Sequence, residues 1–468
     1  MLFTSYSFVF LFLPLFFCVY LLTPARWRSI PLLVGSYVFY GWWRLDFCLL
    51  LAGVTLTGYL GGLWIEKGGT NQRLYTSIIV SGLLATLGWF KYAGFLGESW
   101  NGMASWLSDI EDLSVVVPEI ILPIGISFFT FQTISYLVDV NRGCEACRSP
   151  IQFAAFVAMF PQLVAGPIVR YSDIAKEIPA PRVLWKDVDA GLVLFMLGFC
   201  KKVWIANNVA PAADWLFTLE APTLVVSWLG ILAYTFQVYF DFSGYSDMAI
   251  GLGMMLGFHF PENFRRPYQS KNITEFWQRW HITMSSFFRD YLYVPLGGNR
   301  SGQIRTLINL SVTMLLAGLW HGAGWTFLLW GAFHGGLLAI HRVWSANSSF
   351  DRLASIRGHT IFAGLLTFFA VVLGWVVFRA DSVVNAFAVY GGIFGVNGFD
   401  SGSMLKDRFD LVFWMMMLFA SIFVLVEGRF QKPILATPMG RVAISVLFLG
   451  ALHELGGQGY NPFLYFQF

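Results

Sequence analysis

Apolar segments follow one another along nearly the whole chain, and that pattern leaves few places where such a chain can fold. Candidate spans are Thr4–Leu22, Ile30–Trp43, Phe47–Ile65, Leu74–Leu96, Val115–Leu137, Ile151–Val169, Ala190–Ala210 and Leu224–Phe240. After a polar break come Ser246–Phe258, Ile304–Gly322, Trp325–Val343, Ile361–Phe378, Leu411–Val426 and Val442–Leu452. A helix needs about 20 mostly apolar residues to cross a bilayer, so the chain reads as all-α, a polytopic integral membrane protein with about 11 complete spans. Several segments are shorter than a crossing. They are expected as re-entrant, interfacial or tilted pieces around a cavity, where irregular backbone can survive at membrane depth.

Composition closes the other doors. Of 468 residues, 57% are hydrophobic and 12% charged, against about 25% charged in an average soluble domain; mean hydropathy is +0.63. So apolar a chain cannot stay solvated as a coil. The net charge of +3, with no Lys/Arg block, argues against a nucleic-acid partner. Five Cys make no disulfide framework. Cys18, Cys48 and Cys200 sit in apolar runs, where Cys behaves as a small hydrophobe. The run Leu2–Leu22 has no basic stretch before it and no small-x-small cleavage site ahead of Pro24, so an uncleaved first span is expected. Arg26 and Arg28 follow it and place the N-terminus outside. No repeat and no Gly/Ser/Pro linker divides the chain, which reads as one domain over residues 1–468.

Polar interruptions fall at Glu98–Asp112, at Asp400–Asp410 and, most densely, from Pro261 to Arg305. That central stretch carries Arg265, Arg266, Lys271, Arg279, Arg289, Arg300 and Arg305, interleaved with Trp277, Trp280, Phe287, Phe288, Tyr291 and Tyr293. Two readings stand. It is a cytoplasmic loop anchored by positive-inside charge, or a site for an anionic donor such as a CoA thioester, whose phosphates need cations.

Among seven His, His321 stands out because Ile304–Gly322 is otherwise almost wholly apolar. An ionisable group within a span faces a cavity or a partner, and Gly318, Gly322 and Gly324 around it permit close approach. A structural His hydrogen-bonded across a helix interface is the competing reading. His281, in the polar stretch, is far enough along the chain for one His to enter from each of two elements. A neutral imidazole is a natural general base for a hydroxyl attacking an ester or thioester. His334, among Gly331, Gly335 and Gly336, reads as a packing brace, and His341 lies on the same helix face. No metal is expected, because no Asp or Glu accompanies the His at ligand spacing.

A second polar cluster, Asp241, Ser243, Tyr245 and Asp247, lies where the apolar pattern breaks. Its acids line a cavity, since acids at membrane depth are rare, or cap the helix that follows. Weaker signals are Cys144-x-x-Cys147, read as having no special role, Asp187-Val188-Asp189, read as helix-start charge, and Gly251-Leu252-Gly253, read as helix packing.

Taken together these blocks resemble the membrane-bound O-acyltransferase family, in particular its bacterial polysaccharide branch, which includes the membrane subunits of alginate and cellulose O-acetylation. The likeness is densest in Pro123–Gln132, in Phe160–Ile168 and from Asp241 to His334, with the paired signature Arg279-Trp280-His281 and Leu319-Trp320-His321-Gly322. The resemblance implies a ring of tilted helices around a central tunnel. It implies His321 as the catalytic His and His281 as the second active-site position. It also implies acetyl-CoA as donor substrate, with no bound cofactor, docking near the basic stretch, with Asp241, Ser243, Asp247, Arg279, Trp280 and Trp320 as candidate tunnel or donor-binding residues. A bacterial inner-membrane enzyme is expected, embedded in membrane lipid. It would work with a periplasmic SGNH-like acetyltransferase partner and an exopolysaccharide synthesis complex, on cellulose or alginate.

The aromatic tail, residues 461–468, resembles the C-terminal Tyr motif of polysaccharide-acylating relatives, which makes Tyr465 a candidate acyl carrier; an interfacial aromatic anchor is the other reading. On the residues alone a transporter and an assembly scaffold without acyl chemistry also stay open.

Overall fold

The computed structural model describes residues 1–107, 114–346, 358–399, 405, 408–426 and 437–457. Tyr465 and the aromatic tail lie outside the described residues. Among the described residues every regular element is helical. The helices fall into two compact units.

The first unit comprises Met1–Leu184, Leu256–Phe260 and Gly322–Gly324. It contains α1 (Leu13–Leu22), α2 (Ser29–Gly41), α3 (Asp46–Lys67), α4 (Gln72–Leu107), α5 (Ile126–Asn141), α6 (Pro150–Ala158), α7 (Phe160–Leu163) and α8 (Tyr171–Ile174). α3 carries Asp46 in its first turn and Lys67 in its last, the charge order a helix dipole favours. Its Gly58 and Gly62 meet Thr133 and Tyr136 of α5, the small-residue contact that lets helices close up in lipid.

The second unit comprises Trp185–Met255, Pro261–His321 and Trp325–Phe468. It contains α9 (Trp185–Cys200), α10 (Asn207–Phe217), α11 (Leu224–Leu256, up to Met255 in this unit), α12 (Ile273–Arg279), α13 (Ile282–Phe288), α14 (Gln303–His321) and α15 (Trp325–Ser345). α16 (His359–Arg379), α17 (Val383–Ile393), α18 (Leu411–Val426) and α19 (Pro438–Gly457) follow. Lys201–Ala206 continues α9 as a widened turn. α9 and α11 pack through reciprocal glycines: a Cβ on Gly198 or Gly244 would strike the other's carbonyl, and Gly191 and Gly251 repeat the arrangement two turns away.

Five helices among the described residues are long and apolar enough to cross a membrane: α3, α4, α11, α16 and α19. Four further apolar helices are shorter, among them α2, α17 and α18.

Several expected boundaries are corrected. Val115–Leu137 is not one helix: its first part is irregular and α5 starts only at Ile126, after Pro118, Pro123 and a left-handed Gly125 at φ 74°. Ile151–Val169 is likewise interrupted, at Met159 with ψ 108° and again after Leu163, where α7 ends. The polar stretch from Glu98 is helical as far as Leu107.

The largest correction concerns Leu224–Phe240 and Ser246–Phe258, which form a single 33-residue helix, α11. The acids expected to break it have cations beside them instead. Lys202 Nζ lies 2.7 Å from Asp241, and Lys201 Nζ lies 2.7 Å from Asp247. Satisfied from the side, they leave the backbone ladder intact, and the capping reading of Asp241 and Asp247 does not hold.

Candidate active site

α14 delivers His321 as its final residue. Gly318 faces the Phe327 carbonyl and Gly331 faces the Met314 carbonyl, so α14 and α15 touch backbone to backbone. That contact seats the His321 ring 5.2 Å from Trp330 and 5.1 Å from Phe378, centroid to centroid, and His321 is buried.

His281 arrives from a different element, the corner between α12 and α13. Its backbone is left-handed at φ 43°, a conformation that costs a non-glycine residue of order 1–3 kcal/mol and persists only where its surroundings enforce it. The enforcing groups are visible. Arg265 N–H donates to the Arg279 carbonyl at 2.9 Å, and Ile282 N–H donates to the Asn263 carbonyl at 2.9 Å, pinning both sides of the corner.

Trp320 contacts both imidazoles, 6.0 Å from His281 and 4.9 Å from His321 by ring centroids. His281 is fully buried, edge-on to Phe242 at 4.6 Å. Its Nδ1 lies 3.0 Å from Asn263 Oδ1, while Nε2 has no hydrogen-bond partner among the described residues. Burial, reinforced by His321, holds the His281 pKa well below the ordinary imidazole value, so the ring is neutral at physiological pH.

The other candidate residues divide. Trp280 is an aromatic core residue, packed against Phe276, Phe264 and Trp375. Arg279 pairs with Glu275 at 2.5 Å. Asp241 and Asp247 lie on α11 in their ion pairs with Lys202 and Lys201, and Ser243 Oγ between them is buried without a hydrogen-bond partner among the described residues. Of the basic stretch, Arg265 and Arg289 also pair, with Glu262 and Asp290. Arg266, Lys271, Arg300 and Arg305 are exposed, with no ion pair among the described residues. His334 packs between Trp277 at 5.2 Å and Trp330 at 4.9 Å. Asp187 sits in the first turn of α9, and Asp189 pairs with Arg441.

Residues that sequence reasoning passed over complete the site. Asn263 is a buried hub for the His281 corner, and Ser246 of α11 accepts from its Nδ2 at 3.1 Å. Nothing in a polar run distinguishes Asn263. Lys201 and Lys202 did carry a signal: two adjacent cations inside an apolar segment, costly unless paired.

The sequence model of the membrane-bound O-acyltransferase family matches residues 119–380, a stretch that includes both His. A probable alginate O-acetylase of Azotobacter vinelandii is 43% identical, with both chains covered in full. A peptidoglycan O-acetyltransferase of Helicobacter pylori is 36% identical over 88% of this chain and 83% of its own. A teichoic acid D-alanyltransferase of Bacillus subtilis is 28% identical over 54% of this chain and 68% of its own.

Proposed function

The chain belongs to the membrane-bound O-acyltransferase family, and we propose that it moves acetyl from acetyl-CoA to hydroxyl groups of an exopolysaccharide, alginate first among the candidates. The observation that carries this reading is the pair His281 and His321, brought from two elements into contact with the same Trp320 ring and buried there. Two imidazoles in a dry site can take the proton of an attacking hydroxyl and return one to the leaving sulfur. In that step the hydroxyl oxygen bonds to the thioester carbonyl carbon and the C–S bond breaks. The hydroxyl proton ends on CoA as its thiol.

Two further features support the donor and the acceptor. The exposed cations Arg266, Lys271, Arg300 and Arg305 suit the phosphates of CoA on the cytoplasmic face of the bacterial inner membrane. Relatives covered in full at 40–43% identity bear the name probable alginate O-acetylase. Acetyl leaving the membrane needs a carrier on the far side. We assign that part to a periplasmic acetyltransferase partner, with the Tyr465 hydroxyl as the intermediate acceptor.

His321→Ala is expected to abolish acetylation of the polymer in cells while the protein remains inserted in the membrane. Undiminished acetylation in that variant would refute the reading. Acetyl found on peptidoglycan instead would move the acceptor to the substrate named for the Helicobacter pylori relative.

A further inference from the structure

Asn263 does more than tie down a corner. Its Oδ1 receives the Thr283 Oγ1 hydroxyl at 2.8 Å and the Thr283 main-chain N–H at 3.3 Å, and it lies 3.0 Å from His281 Nδ1. Its Nδ2 donates to Ser246 Oγ at 3.1 Å. A main-chain N–H can only donate, so the amide atom facing Thr283 is oxygen, and the orientation of the whole amide follows. The His281 atom that faces this hydrogen-free oxygen must then carry the ring proton. A neutral imidazole has one N–H and one bare nitrogen, so the bare one is Nε2.

We infer that Asn263 is a positioning residue that locks His281 in its Nδ1–H tautomer and so makes Nε2 the hydrogen-bond acceptor for the hydroxyl that attacks the thioester. The inference rests on the acyl-transfer reading above. Nε2 is buried and has no partner among the described residues, which is the condition of an acceptor awaiting its donor. Burial and the nearby His321 keep the ring uncharged, so Nε2 carries no second proton to donate. Of the two roles open to an imidazole in acyl transfer, His281 therefore takes the receiving one. Donation to the thioester carbonyl or to the sulfur falls to another group. In the step itself Nε2 takes the hydroxyl proton as the C–O bond forms, another group protonates the sulfur as the C–S bond breaks, and the proton held by His281 then replaces the one that group gave up.

Full-length protein in lipid nanodiscs, labelled with 15N-histidine and assigned with His281→Gln, reports the tautomer directly. Wild-type His281 is expected to be protonated at Nδ1, and Asn263→Leu is expected to shift it toward the Nε2–H form. With radiolabelled acetyl-CoA, Asn263→Leu should lower turnover at saturating donor by roughly 10- to 100-fold, the scale on which ligand-orienting partners act. KM for acetyl-CoA should stay within about twofold. Asn263→Asp, whose carboxylate offers Nδ1–H the same acceptor, should recover most of that loss. A wild-type His281 protonated at Nε2 would overturn the assignment, as would Asn263→Leu turning over at the wild-type rate. Should Asn263→Leu fail to fold, the wild-type tautomer and the Asn263→Asp rate still decide it. Failure of the acyl-transfer reading looks different: wild type itself would turn over no acetyl-CoA, while the 15N spectrum would still report the tautomer.

Discussion

Two polar clusters lie buried in the apolar second unit, and they are built on opposite terms. On α11, Asp241 and Asp247 face Lys202 and Lys201 at 2.7 Å, full charges matched one to one. At the α12–α13 corner, His281 is a neutral ring with one nitrogen engaged and the other idle. A matched charge pair can hold helices in register, because losing either partner leaves a buried charge uncompensated. A neutral group with an unengaged acceptor is cheap to bury and still able to bind. The difference is between charges that neutralise one another and a neutral group with an open acceptor, although both clusters look alike as rare polar residues in an apolar sequence.

The comparison breaks first if the ion pairs prove dispensable. Lys202→Met strands the Asp241 carboxylate without its cation in surroundings where Asp241 is 1% exposed. Losing one partner of a buried pair costs about 3–5 kcal/mol. A large drop in thermal stability is therefore expected, largely reversed in Lys202→Met/Asp241→Leu, where no charge is left unmatched. If Lys202→Met melts with wild type, the α11 acids are not structural.

A smaller effect sharpens the other side. The folded His281 pKa lies below its ordinary value of 6.5, so below about pH 6.5 the unfolded chain binds a proton that the folded chain does not. Stability is complete above that pH and is lost as pH falls through it. The slope from this one group is up to about 1.4 kcal/mol per pH unit. His281→Gln should flatten the acid side of a stability-against-pH curve by that amount. A curve of unchanged slope would mean that His281 protonates freely in the folded protein.

What the sequence disclosed follows the same division. Hydropathy found α3, α16 and α18 nearly to the residue, because burial in lipid depends on composition, which is local. It overran at Val115–Leu137 and Ile151–Val169, since a hydropathy sum does not see the left-handed Gly125 ahead of α5 or the non-helical Met159 ahead of α7. It broke α11 at Asp241 because the cation that makes the acid tolerable, Lys202, lies on another helix. His281 and His321 were legible as polar residues where polarity is expensive. Asn263 was not: its meaning is the set of atoms around it, Thr283, Ser246 and His281, which only the folded chain assembles.

The central claim is that the two histidines act as one unit in acyl transfer, and a mutant cycle on acetyl turnover tests it. Purified full-length protein would be given radiolabelled acetyl-CoA as wild type, His281→Gln, His321→Ala and the double variant. General acid–base groups contribute on the order of 10²–10⁴-fold, and groups that act together lose that factor once rather than twice. Each single variant should fall by at least about 100-fold, with the double variant no lower than the worse single. Single variants near the wild-type rate, or losses that multiply in the double variant, would contradict it.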